Sequence, residues 1–119
     1  MRLWGDYWED IAFKHLKKNK LKKVKRNFNC KVGEIDLIMI DKQTLVFIEV
    51  KYRKNDDWVS ASESVTQSKQ RKIIKTAQLF LLKNKKYKDW NCRFDVVSIQ
   101  GENDNVEINW IKDAFQTNY

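Results

Sequence analysis

An α/β domain with a mixed sheet flanked by helices is predicted for this 119-residue chain by three observations. Apolar residues recur at helical spacing near the N-terminus and again after residue 62, while the stretches between and beyond them alternate as strands do. The resulting order is helix, three strands, helix, two strands, and no linker, internal repeat or low-complexity segment divides it. One layered domain spanning residues 1–119 follows, since a chain of this length supports a single moderate core.

The first helix is read over residues 4 to 18, because Trp4, Trp8, Ile11, Ala12 and Leu16 fall on one stripe. His15, the sole histidine, lies on that stripe and is read as packing. Asn19 offers a stop, and the run KKNKLKKVKR at 17–26, with seven Lys or Arg in ten positions, is expected at the surface. Strands are expected at about 24–30, 34–41 and 45–52, the last two joined by the turn formers Asp41 to Thr44 as a hairpin. Residues 53–61 have no period and read as a loop. A long helix is expected over about 62–84, with Val65, Lys69, Ile73, Ala77, Phe80 and Leu81 along one side. Strands at 92–99 and 106–111, separated by the turn-rich 101–105, close the chain. Trp4, Trp8, Trp90 and Trp110 are read as core.

With 24 Lys+Arg against 16 Asp+Glu, the formal net charge is +8, which suits a polyanionic partner such as nucleic acid. Cys30 and Cys92 form no CxxC and have no histidine neighbour, so a zinc knuckle or thioredoxin-like site is not encoded. They read as two small buried hydrophobes in a reducing cytosol. No apolar run approaches a membrane span and the N-terminus lacks the pattern of a secretory signal, so a cytoplasmic protein with no membrane partner is expected. A single histidine also removes histidine-based metalloprotease and paired-histidine RNase chemistry.

The stretch LVFIEVKYRK at 45–54 carries the chemistry. Side chains alternate along a strand, so Leu45, Phe47, Glu49 and Lys51 face one way and Val46, Ile48, Val50 and Tyr52 the other. Glu49 and Lys51 are then neighbours, roughly 6 to 7 Å apart at the backbone. On the preceding strand the same parity groups Glu34, Asp36, Ile38 and Ile40. With the hairpin turn at the far end, pairing can bring Asp36 and Glu49 together. Two close carboxylates repel unless one is protonated or a cation lies between them. Mg²⁺ suits that place, taking one or two protein carboxylates and filling its other positions with water and phosphate. Lys51 would supply positive charge at a scissile phosphate or beside the attacking water. A plain Glu49–Lys51 ion pair with a solvated Asp36 is the competing reading; the apolar setting of all three argues against it.

Gly33-Glu34-Ile35-Asp36-Leu37-Ile38, followed by Leu45-Val46-Phe47-Ile48-Glu49-Val50-Lys51-Tyr52-Arg53, resembles the signature of the YraN-like bacterial proteins. That family's fold is similar to archaeal Holliday-junction resolvases, within the PD-(D/E)XK nuclease superfamily. The resemblance extends to Gly5 and Glu9, to Lys69, to Arg93-Phe94-Asp95-Val96-Val97 and to Ala114-Phe115. It implies a restriction-endonuclease-like, resolvase-like fold and metal-dependent hydrolysis of DNA, with structured or branched DNA as substrate and Mg²⁺ or Mn²⁺ as cofactor. It further implies that Asp36, Glu49, Glu9 and the Val50 carbonyl hold the metal, that Lys51 is the catalytic lysine, and that a homodimer is possible. The chain departs from the pattern at Ile35, where proline is usual, at Trp8, where a second glycine is expected, and in the loop expected after Arg53, which has Asp56-Asp57-Trp58 and no glycine.

Several residues keep two readings. Glu9 lies beside the helical stripe as a metal ligand or a surface acid. Lys69 reaches either the carboxylates or a phosphate, or else snorkels to water. Glu34 supports the site or caps its strand. Lys17, Lys18, Lys20, Lys22, Lys23, Lys25 and Arg26 bind nucleic-acid backbone or form a solvated face, and Arg53 and Arg93 contact phosphate or stay at the surface. Trp58 and Tyr52 are candidates for stacking on splayed bases. Asp95, between apolar residues, is read as structural, pairing with an arginine or a backbone amide.

Overall fold

A computed structural model describes residues 4–54, 65–102 and 105–117, with the backbone alone for residues 4–6. Helix α1 spans Trp4–Lys18, and strands β1 (Lys22–Asn29), β2 (Glu34–Asp41) and β3 (Thr44–Arg53) follow. Helix α2 (Gln67–Lys83) leads through a 3₁₀ turn at Lys85–Tyr87 to strands β4 (Asn91–Glu102) and β5 (Asn105–Phe115). The predicted order is observed: β2 has the expected bounds, β1 starts two residues earlier, β3 gains one residue at each end, and β4 and β5 run several residues longer. The 3₁₀ turn was not foreseen, and the long helix begins at 67 rather than 62. Thr66 sets that start: its side chain accepts the Lys69 N–H at 3.2 Å, an N-cap that leaves Val65 outside the helix yet buried.

The five strands lie in sequence order in one sheet. β1 pairs with β2, β2 with β3 and β4 with β5 antiparallel, whereas β3 and β4 are parallel and need the α2 crossover between them. Each face of the sheet has its own core. Trp8, Ala12 and Leu16 of α1 pack on Leu37, Met39, Val46, Ile48, Val97 and Ile99. Ile73, Ile74, Ala77 and Phe80 of α2 pack on Ile38, Leu45, Phe47, Phe94 and Val96. The central strands β2 and β3 are thus covered on both sides, which is why EIDLIMI and LVFI read as continuous apolar runs. Gly33 permits close contact with α2: a β-carbon there would lie 3.3 Å from the Thr76 hydroxyl and 3.7 Å from the Lys72 β-carbon. Among the described residues no helix is long and apolar enough to cross a membrane.

Two sequence expectations are corrected. Cys30 is only half-buried and Cys92 is exposed, because each lies at the margin of a strand rather than in its covered centre. Trp90 and Trp110 are partly rather than fully buried, and the Trp110 indole N–H needs a polar partner, found in Asp95 at 2.9 Å. The side chain of Trp4 lies outside the described residues. His15 is half-buried on α1.

Candidate functional site

The site arises where β2 leaves β3. From the hairpin turn, in which Lys42 takes a left-handed φ of 59°, the ladder runs Asp41↔Thr44 to Leu37↔Ile48 and stops there. Mutually hydrogen-bonded pairs alternate along an antiparallel ladder, so Val50 would be the next residue to turn both its N–H and its C=O toward β2. The Val50 N–H instead donates to Asp36 Oδ2 at 2.8 Å. One carboxylate oxygen thus replaces a ladder carbonyl. The separation breaks the simple parity read from the sequence: Ile35 and Ile38 both belong to the α2-side core. On the neighbouring strand Asn27, beside this point, takes a left-handed φ of 55°. Glu34, the first residue of β2, is exposed.

Asp36 and Glu49 are brought together at this gap. Burial, then the charge of Glu49 and a hydrogen bond shared with it, push the Asp36 carboxyl up to about 9, against a smaller pull from the Val50 N–H. Glu49 is buried, 5% exposed, and faces the α2 layer. Lys69 Nζ lies 2.7 Å from Glu49 Oε2 and Lys51 Nζ lies 3.7 Å from the same oxygen. Burial, opposed by Glu49 and reinforced by neighbouring Lys69, holds the Lys51 ammonium below its usual value. For Lys69 burial also pulls downward, but its hydrogen bond to Glu49 and that carboxylate's charge prevail, leaving it raised. The Lys69 amine therefore points at the carboxylates.

Glu9 approaches from the other layer. It is buried, 7% exposed, on the α1 side, and its charge adds a small upward push at Asp36. Arg26 Nη2 of β1 lies 3.7 Å from Glu9 Oε1, and the same guanidinium reaches Asp10 at 2.6 Å while lying 4.9 Å from the Phe13 ring centre. Among the described residues no three His, Cys, Asp or Glu side chains are placed together to hold a metal ion. Asp36 shares a hydrogen bond with Glu49, and Glu9 acts on Asp36 through its charge. The Arg26–Asp10 bond joins β1 to α1, and nothing in local spacing signals it.

The basic run is split by the fold. Directly paired residues share a face of the sheet, so Lys22↔Ile40 and Lys25↔Ile38 put Lys22 and Lys25 on the α2 side with Glu49 and Lys51. Lys23↔Met39 and Arg26↔Leu37 put Lys23 and Arg26 on the α1 side, and Lys17, Lys18 and Lys20 follow the end of α1. Lys17, Lys18, Lys20, Lys22, Lys23 and Lys25 are exposed, whereas Arg26 is half-buried in its acid clamp. Lys22 opposes the hairpin-turn end of β2, roughly 13 Å along the strand from Asp36. Arg71 and Lys72, exposed on α2 beside Lys69, add positive charge that periodicity did not single out.

Other predicted residues are placed as follows. Arg53 ends β3, half-buried. Tyr52 is unavailable for stacking on bases: its ring is stacked on Trp8 at 3.8 Å, and its hydroxyl donates to the Gly101 carbonyl at 2.7 Å. Trp58 and the rest of residues 55–64 lie outside the described residues. Asp95 is fully buried and structural. It accepts Arg93 Nε and Nη2, Trp110 Nε1 and the Asp113 N–H, each at 2.9 Å, while Arg93 Nη2 also donates to Asp41 at 3.0 Å. Arg93 is committed to these acids.

The donor set fits a hard divalent cation. Two carboxylates meet at one gap, and their repulsion is visible in the raised Asp36 carboxyl. Fold and site together define a single α/β domain with a carboxylate pair and two lysines where its central strands part. The chain belongs to the uncharacterised protein family UPF0102, whose profile matches residues 8–99. It is 46% identical over 114 residues to a UPF0102 protein of Saccharophagus degradans, covering 96% of this chain and 93% of that one. A UPF0102 protein of Stutzerimonas stutzeri is 44% identical over 109 residues, covering 92% and 91%. The YraN-like resemblance is thereby shown.

Proposed function

We propose that this chain is a cytoplasmic, metal-dependent endonuclease-like protein that binds structured or branched DNA and hydrolyses its phosphodiester bonds. The observation supporting this most directly is the Asp36–Glu49 pair, built into a gap between two core strands and flanked by Lys51 and Lys69. Asp36, Glu49 and the Val50 carbonyl would hold Mg²⁺ or Mn²⁺, which when bound polarises the phosphate and lowers the pKa of its water. Water oxygen forms the new P–O bond, the P–O3′ bond breaks, and the products are a 5′-phosphate and a 3′-hydroxyl that takes up a proton. Lys51 supplies positive charge where the phosphate gains negative charge. Packing of Val46 and Ile48 in the α1-side core keeps the strand that carries Glu49 and Lys51 rigid. A homodimer would set two such sites on opposing strands.

Purified protein incubated in Mn²⁺ with junction, flap, single-stranded and linear DNA tests this reading. Wild type is expected to cut at least one substrate, and Asp36→Asn, Glu49→Ala and Lys51→Ala to lose 100-fold or more, on the order of one removed electrostatic group. Cleavage that survives Lys51→Ala would show a contaminant or a different chemistry. The alternative is a nucleic-acid-binding module that cuts weakly or not at all and acts with a partner protein. It is favoured by one observation, that among the described residues no group of three or more His, Cys, Asp or Glu side chains is placed to hold a metal ion. Salt-sensitive DNA binding without Mn²⁺-dependent cleavage on all four substrates would select it.

A further inference from the structure

We propose that Lys69 stands in for the metal ion at Glu49, and that metal binding releases its ammonium from the carboxylate to a phosphate of the nucleic acid. This rests on the metal site proposed above. Three features of the structure lead to it. Lys69 Nζ is the nearer of two ammonium groups to Glu49 Oε2, at 2.7 Å against 3.7 Å for Lys51. The Lys69 side chain is 45% exposed, compared with 5% for Glu49, so the cation can swing into solvent while the carboxylate stays in place. Its backbone lies in the first turn of a 17-residue helix, fixed by the Thr66 cap. The freed amine thus stays beside the positive end of α2, where anions are favoured.

A divalent ion on Glu49 would repel the ammonium held 2.7 Å from Oε2 of the same carboxylate, so the two compete for its charge. Nucleic acid gives the displaced lysine a new partner. Metal and nucleic acid must then each tighten the other's binding by the same factor. Lys69 is a positioning residue for metal loading as well as a phosphate contact, and the two roles move metal affinity in opposite directions.

Calorimetric titration with Mn²⁺, without and with a non-cleavable DNA analogue, tests the exchange. Without nucleic acid, Lys69→Met is expected to bind Mn²⁺ about threefold to fivefold tighter than wild type, the scale of one half-exposed ion pair removed. With the DNA analogue that advantage should shrink, and Lys69→Arg should behave as wild type in both titrations. A residue needed only for structure would weaken metal binding when replaced. Asp36-dependent Mn²⁺ binding that is unchanged or weaker in Lys69→Met overturns the exchange and leaves the metal site standing. Binding that is the same in wild type and Asp36→Asn overturns the metal site and the exchange with it.

Discussion

Asp36 couples the protonation of the site to the stability of the whole fold. Its carboxyl stands near 9 in the folded chain against 3.8 for the free group, so the native state favours the protonated form. That contribution is complete below about pH 4 and is lost as pH rises toward 9, at no more than about 1.4 kcal/mol per pH unit. Metal-free protein should therefore melt at progressively lower temperature from pH 5 to pH 8. Asp36→Asn should flatten the slope, as should saturating Mn²⁺, whose binding releases the proton. Thermal scans across that range check both. Asp95 is the opposite kind of acid, since every contact it makes is satisfied within the fold. Asp95→Ala should cost about 3 to 5 kcal/mol in urea unfolding, because it leaves Arg93 without its bidentate partner.

At the scale of elements, the strands were legible because each carries its own pattern. The β2–β3 hairpin follows from two apolar runs and a turn, and its register follows from the turn at Asp41 to Thr44. The carboxylate pair was legible for the same reason, through alternation counted back from that turn. Alternation could not show that the ladder ends at Leu37↔Ile48, since the gap depends on the Asp36 side chain capturing the Val50 N–H. The start of α2 was misjudged by several residues because the apolar stripe continues through Val65, which packs without being helical. Thr66→Ala should destabilise the protein by about 1 kcal/mol and, by loosening the first turn, weaken the hold of Lys69 on Glu49. Urea midpoints, together with Mn²⁺ titration, separate those two effects.

At the scale of the molecule, the sheet decides which charges can act together. Lys22 and Lys25 share the face of Glu49, Lys51 and Lys69, whereas Lys23 and Arg26 do not. Lys25→Glu is accordingly expected to weaken DNA binding and reduce the salt slope by about 1 or more, while Lys18→Glu should do less. Filter binding between 50 and 200 mM salt checks the order, and equal effects would show that the two faces do not differ in their contacts. The roughly 13 Å between Asp36 and the level of Lys22 corresponds to about four base pairs. DNA trimmed to less than that on one side of the cut should lose affinity, and a length series measures the loss.

The sequence by itself determined the element order, the two apolar strands, the facing of Glu49 and Lys51, the structural role of Asp95 and the family. All of these rest on short-range periodicity or on motifs within a few residues. Tertiary structure decided that β2 and β3 part at Asp36, that Lys69 settles on Glu49 among the partners its stripe allowed, that Arg26 clamps Asp10, that Tyr52 is covered by Trp8, and that the basic run divides between two faces. Each of these depends on which distant elements pack together, and no local pattern encodes the distance between side chains on separate layers of one sheet.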